Sequence, residues 1–245
     1  MKIVFWSDFA CPFCYIGETR LKKAIADILS DASVSPNVNF ELEMRAFRLD
    51  PDADTVPESD TVTRYAKKYR MSPMLAQHQV EKISDSGRRE GLVFNYGGTL
   101  SVNTFDAHRL AKLAYSKDKE TADAVIEALF KAYFADNRVL SDGEVLTEIG
   151  TQAGLEENEI REMLASDRFS REVLADEEEA RDKGISGVPY FEIDGSLQIN
   201  GAEMTEGFKH HLLKILNPGK NVSSADNKAM TTGDGHTCGP EGCKL

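Results

Sequence analysis

The sequence predicts an α/β fold whose strands lie towards its two ends and whose middle is an all-helical insertion. Three observations carry this prediction. Residues 2–7 and 38–47 have strand character and flank an amphipathic helical stretch, which makes a β–α–β unit. From Thr61 to Lys183 the apolar spacing is almost entirely helical. Strand character then returns at Pro189–Ile193, with a hairpin turn and a second short strand, before a closing helix.

The elements follow in order. Residues 2–7 alternate and include β-branched and aromatic side chains, as a short buried strand does. After Cys11-Pro12-Phe13-Cys14, the positions Ile16, Leu21, Ile25, Ile28 and Leu29 recur at helical spacing. Val38, Phe40, Leu42 and Met44 alternate with polar residues, so Val38–Phe47 reads as the second strand. Within the insertion about six helices are expected by their start and stop signals. Ser72-Pro73 pairs a cap with a first-turn proline, and Ser141 with Glu144 has capping-box spacing. Thr104, Asp142 and Ser170 are further starts, and Gly91, Gly154 and Gly184 are stops. Asp194-Gly195 is a hairpin turn between Pro189–Ile193 and Leu197–Asn200. Thr205–Leu216 closes the fold as an amphipathic helix. After Asn217-Pro218-Gly219 the composition turns to Ser, Asn, Asp, Gly and Thr, as in a mobile tail, ending in Cys238-Gly-Pro-Glu-Gly-Cys243.

The chain of 245 residues carries 29 Lys and Arg against 41 Asp and Glu, a formal charge of −12. Nucleic-acid binding needs clustered cations, so neither DNA nor RNA is an expected partner. The acidic run Asp176–Glu179 reads as a solvated helix face. No apolar stretch is long enough to span a bilayer, and the brief apolar start Met1–Trp6 is shorter than a secretory signal. No membrane association and a cytoplasmic location are expected. In that compartment two close cysteine pairs point to redox chemistry or metal rather than to structural disulfides.

The Cys11/Cys14 pair stands where a strand passes into a helix. A thiol at a helix N-terminus faces unpaired N–H groups and the positive end of the helix dipole, which favour its thiolate. The second cysteine, inside the first turn, can attack a mixed disulfide formed on the first. Cys11 is therefore the expected solvent-facing nucleophile and Cys14 the resolving thiol. Pro12 suits the first turn because it lacks an N–H, and Phe13 adds no donor. Asp8, three residues earlier, is either a proton acceptor for Cys14 or a solvated strand end. A zinc ion shared by the two pairs is the competing reading, but a knuckle presents its cysteines in a tight turn rather than at the start of a long helix. No metal site and no cofactor are expected.

The opening Trp6-Ser7-Asp8-Phe9-Ala10-Cys11-Pro12-Phe13-Cys14-Tyr15-Ile16-Gly17 resembles the thiol–disulfide oxidoreductases of the DsbA family. So do Asn103-Thr104-Phe105-Asp106-Ala107-His108-Arg109-Leu110 and Gly184-Ile185-Ser186-Gly187-Val188-Pro189. With the closing Cys238–Cys243 block, the likeness within the family is greatest to FrnE-type proteins. The resemblance implies a thioredoxin-like fold with a large all-helical insertion. Residues 1–60 and 184–217 would form a discontinuous thioredoxin-like domain, 61–183 a helical insertion domain, and 218–245 a flexible tail with a second cysteine pair. It implies that Pro189 is cis and faces Cys11, and that Val188 offers its backbone to an extended substrate.

On the same resemblance the substrate-binding positions are Pro12, Phe13, Val188, Pro189, Asn103 and His108, although Asn103 and His108 also read simply as a helix-start residue and a half-buried histidine. The expected activity is that of a protein-disulfide oxidoreductase or isomerase working through Cys11 and Cys14. Its partners would be proteins with disulfides or thiols, and glutathione or another thiol reductant. Cys238 and Cys243 are the expected auxiliary redox pair, closing a small loop of their own. Two other functions fit the sequence. One is a glutathione-dependent isomerase or transferase of the kappa and hydroxychromene-carboxylate isomerase type, whose members carry serine at the position of Cys11. The other is a holdase chaperone with an apolar groove around Trp6, Phe9, Phe13 and Phe47.

Overall fold

The computed structural model describes residues 1–32, 34–217 and 236–239, and the backbone of 242–243. Strand β1 (Lys2–Ser7) is central in a four-stranded sheet of order β2-β1-β3-β4. It runs parallel to β2 (Glu41–Ala46) and antiparallel to β3 (Tyr190–Ile193), with Phe5 opposite both Met44 and Phe191. Strand β4 (Leu197–Asn200) completes the hairpin with β3. The Asp194-Gly195 turn has positive φ at both residues, 46° and 65°, as a tight two-residue hairpin requires. β2 begins at Glu41 rather than Val38 because β1 begins at Lys2, its register partner, and residues before Glu41 have no neighbour to pair with.

Helix α1 (Pro12–Ser30) follows β1 and packs against α9 (Thr205–Leu216). Its apolar stripe is buried as far as Ile28, while Leu29 is exposed. Between Thr61 and Asp182 the structure has seven α-helices: α2 (Thr61–Lys68), α3 (Pro73–Arg89), α4 (Phe105–Tyr115), α5 (Lys119–Phe134), α6 (Gly143–Gln152), α7 (Glu157–Leu164) and α8 (Ser170–Asp182). That is one more than expected, because α2 and α7 have eight residues each and offer too few turns for a period to register. Ser72 caps α3 through its hydroxyl, with Pro73 in the first turn. The α6 cap is Asp142, which accepts from the Glu144 N–H, while Ser141 turns away to the Thr55 carbonyl. Ser170 is the first residue of α8, and Phe169 takes the cap position in the left-handed region. Gly91, Gly154 and Gly184 lie one residue past the caps of α3, α6 and α8, at φ 83°, 97° and 70°.

The helical region holds the site from one side through aromatic rings. Tyr15 of α1 stacks on Phe130 of α5 at 4.9 Å and 2°, and Phe9 meets the same ring at 5.0 Å. Phe94 stacks on Phe134 at 4.6 Å, packed so closely on α3 that a Cβ on Gly87 would lie 2.4 Å from its ring.

The acidic run of α8 is not wholly a solvated face. Asp176 is buried and ties α8 to the sheet: its carboxylate accepts from the Ala46 N–H at 2.7 Å, from Arg45 at 3.0 Å and from the Lys112 ammonium. Its backbone carbonyl accepts from the Trp6 indole at 3.1 Å. Glu177 clasps Arg48, whereas Glu178 faces water. Breaking a buried charge pair costs about 3–5 kcal/mol, so Asp176→Ala should lower the unfolding free energy by about that much in urea titrations. Glu178→Ala should change it by less than about 0.5 kcal/mol in the same assay.

Candidate active site

Cys11 occupies the N-cap of α1 in extended geometry, φ −89° and ψ 114°, and Pro12 fills the first helical position. The turn is closed by two backbone bonds, Cys11 N–H to the Asp8 carbonyl at 3.0 Å and Cys14 N–H to the Cys11 carbonyl at 3.1 Å. Both thiols are free. The Cys11 thiol points at the Val188 carbonyl, 3.6 Å away, and the Val188–Pro189 peptide is cis. The strand-to-helix turn and the loop before β3 thus meet over the sulfur. Gly17 permits that meeting, since a Cβ there would lie 3.1 Å from the Pro189 ring and 3.3 Å from Ala202. Arg20, one turn further along α1, donates to the Ala202 carbonyl at 2.9 Å and pairs with Glu90 at 2.7 Å.

Cys14 is buried beneath this turn. Burial pushes its thiol well above the ordinary cysteine range, and the neighbouring Cys11 pushes the same way. The Ser7 hydroxyl and the Asp8 backbone oppose the rise. The Asp8 carboxylate is turned elsewhere. It accepts from Ala10 N–H at 3.2 Å, Leu49 N–H at 2.7 Å and the Thr104 hydroxyl at 2.8 Å, and His108 Nε2 lies 3.6 Å away. Burial alone would raise its pKa, but His108 and the Leu49 and Ala10 amides together hold it below the ordinary aspartate value. Asp8 is therefore neither a solvated strand end nor directed through its carboxylate at Cys14. It joins the active-site turn to the segment after β2 and to the start of α4.

Two expectations are corrected here. Cys11 does not face solvent: its exposure is 0%. The far end of the tail, expected to be mobile, lies across the site. Val188 and Cys238 exchange both backbone hydrogen bonds at 2.8 Å, and Ala202 N–H donates to the His236 carbonyl at 3.1 Å. The His236 ring rests on Phe13 at 5.0 Å. Cys238 is buried and disulfide-bonded. In the ribbon of β5 (Cys238–Gly239) and β6 (Gly242–Cys243), its cross-strand neighbour is Cys243. Residues 218–235, Pro240, Glu241 and the Cys243 side chain lie outside the described residues.

The structure brings together Cys11, Pro12, Phe13, Cys14, Val188, Pro189 and Cys238, but turns two other candidates inward. Asn103 donates to the Pro51 and Ala53 carbonyls at 3.0 and 3.1 Å and accepts from Phe105 N–H, so it braces a loop. His108 is buried between Asp8 and the Phe9 ring. The apolar groove envisaged for a holdase is absent at the expected residues: Trp6, Phe9 and Phe13 are buried and Phe47 is half-buried. The sequence reading passed over a cleft beside the Cys238–Gly239 strand, lined also by Asp8, Arg64, Tyr65 and Tyr96. It also passed over Ser7, Gly17, Ala202 and His236. Gly17 and Ser7 stood in the opening motif, but only the fold shows what they approach.

The geometry can now be set beside known proteins. The sequence matches the family described as DSBA-like thioredoxin domain over residues 2–213. It is similar to a probable DsbA oxidoreductase, SCO1869, from Streptomyces coelicolor, at 32% identity and TM-score 0.80, covering 100% of this chain and 99% of that one. The cytosolic disulfide reductase DsbM from Pseudomonas aeruginosa shares the fold at 15% identity and TM-score 0.56, over 89% and 100% of the chains. A Bacillus subtilis relative, YwbO, is 24% identical over 85% of this chain and 94% of its own. With a dithiol turn at the head of α1 and a match along most of its length, the chain belongs to the DSBA-like thioredoxin domain family.

Proposed function

We propose that the protein is a thiol–disulfide oxidoreductase and isomerase acting on protein disulfides, with Cys11 as nucleophile and Cys14 as resolving thiol. The observation that supports this best is the asymmetry of the pair: Cys11 caps α1 and points at the Val188 carbonyl, while Cys14 is buried behind it with a raised pKa. In the reductive direction the Cys11 thiolate attacks one sulfur of the substrate disulfide, and the other leaves as a thiolate. Cys14, on losing its proton, attacks Cys11 in the mixed disulfide and releases the second substrate thiolate, leaving the Cys11–Cys14 bond. A small thiol such as glutathione then restores the dithiol. DsbM, which shares the fold, is described in a structure with GSH. No described helix is long and apolar enough to cross a membrane. We place the protein in the cytoplasm, where the thiol pool favours reduction and isomerisation over net oxidation.

The tail pair completes the proposal. Cys238 and Cys243 form one disulfide and exchange it with the Cys11 pair. The reading is supported by the Cys238 amide and the Cys11 thiol sharing one acceptor, the Val188 carbonyl. The isomerase alternative needs glutathione rather than a dithiol as the reacting thiol, and two free cysteines at the head of α1 favour the oxidoreductase.

Insulin reduction should be abolished in Cys11→Ser, whereas Cys14→Ser should accumulate mixed disulfides on gels run without reductant. Equal trapping by either variant would overturn the assignment. In single turnovers the resolving step should quicken steadily from about pH 7 to about pH 9, because the thiolate is the attacking form and burial holds Cys14 protonated. A plateau near neutral pH would contradict the raised thiol. Mass spectrometry after mild oxidation should find the Cys238–Cys243 bond. Truncation after Pro218 should leave the fold intact by circular dichroism and change turnover or the rate of re-reduction of the Cys11–Cys14 disulfide; if both are unchanged and no Cys238–Cys243 bond is found, the tail has no part in the redox cycle.

A further inference from the structure

The Val188 edge is where an extended protein substrate would dock, and residues of this chain already occupy it. Two successive outward-pairing positions of the tail, His236 and Cys238, hydrogen-bond to Ala202 and Val188, so 236–238 runs as an added strand. The fit is made by small residues on both sides. A Cβ on Gly187 would lie 3.1 Å from the Cys238 carbonyl oxygen, and one on Gly239 would lie 2.8 Å from the Ser186 carbonyl oxygen. The Phe13 ring, inside the dithiol motif, meets the His236 ring at 5.0 Å, tilted by 35°. The Cys238 amide and the Cys11 thiol share the Val188 carbonyl as acceptor, which puts Cys238 near the level a substrate cysteine must reach, and Cys11 has no exposed surface.

We propose that His236-Thr237-Cys238-Gly239 is a built-in pseudosubstrate. It covers Cys11 until an incoming strand displaces it, and it records what the site prefers: an extended segment with a flat ring two residues before the reactive cysteine and glycine directly after it. The ring lies on Phe13. Glycine is required because a side chain at the next position meets the Ser186 carbonyl, while the cysteine's own N–H and carbonyl pair with Val188 and the carbonyl two residues earlier accepts from Ala202. Displacement forms and breaks only hydrogen bonds and ring contacts. The inference rests on Cys11 being the reacting thiol, but not on which disulfides the protein turns over.

The test uses the full chain, kept reduced, and follows alkylation of Cys11 by a bulky maleimide with peptide mapping. This readout needs no turnover, so it separates a failure of the tail proposal from a failure of the proposed activity. Gly239→Val, which leaves all four cysteines in place, and truncation after Pro218 should each speed alkylation of Cys11 about tenfold or more, a closed-to-open ratio that the three backbone hydrogen bonds to Val188 and Ala202 readily sustain. Added acetyl-His-Thr-Ser-Gly-amide should restore protection to the truncated protein. A peptide with valine in place of the glycine, or alanine in place of the histidine, should protect at least several-fold less well. Equal alkylation of the intact and truncated proteins would overturn the covering role. Equal protection by all three peptides, or by none, would overturn the recorded preference.

Discussion

The site depends on how closely α1 can approach the loop before β3. Gly17 faces the Pro189 ring and Ala202 so closely that a further carbon would lie 3.1 and 3.3 Å from them, beside the place where the Cys11 thiol meets the Val188 carbonyl at 3.6 Å. A side chain at Gly17 would require the helix or the loop to give by a few tenths of an ångström at this contact. Arg20 holds the same approach from farther along the helix. It bonds the Ala202 carbonyl on one side and Glu90, beyond the end of α3, on the other. Helix, loop and helical insertion are therefore fixed to one another around two turns of α1.

The insertion does more than cover a sheet. Phe130 receives both Phe9 and Tyr15, the residues flanking the dithiol turn, and Thr104 at the start of α4 donates to Asp8 within that turn. Asp8 keeps its charge although buried, because two amides and the hydroxyl donate to it and His108 stands beside it. Charge is thereby stabilised at Asp8, while burial keeps Cys14, six residues on, in its neutral form. Both groups are buried, and the donors around Asp8 widen the gap in acidity that already separates a carboxyl from a thiol.

Much of the architecture was legible in local patterns. β1, the hairpin at Asp194-Gly195, the Ser72 cap, the three C-terminal glycines and α9 follow from rules acting over a few residues. The dithiol turn was legible for the same reason: a strand, Cys-Pro-Phe-Cys and a helix are contiguous. What sequence could not reveal depends on contacts between distant segments. The burial of Asp176 requires β2 and α4 to arrive at α8. The inward turn of His108 requires Asp8, and the burial of Cys11 coincides with a strand from residues 236–239. Composition changes after residue 217, where residues 218–235 lie outside the described residues, and carries no record of the pairing between Val188 and Cys238.

The thiol and its facing carbonyl are separated by 177 positions in the chain. During synthesis, from one end to the other, Cys11 emerges long before Val188 exists to receive it, and residues 236–239, which pair beside Val188, follow later still. The growing chain thus passes through a period in which its dithiol has neither the Val188 carbonyl nor the strand that pairs with it. A cell that makes this protein meets those sulfurs first as ordinary cysteines on an unfinished polypeptide, and the finished pair is assembled only when the last strands are in place.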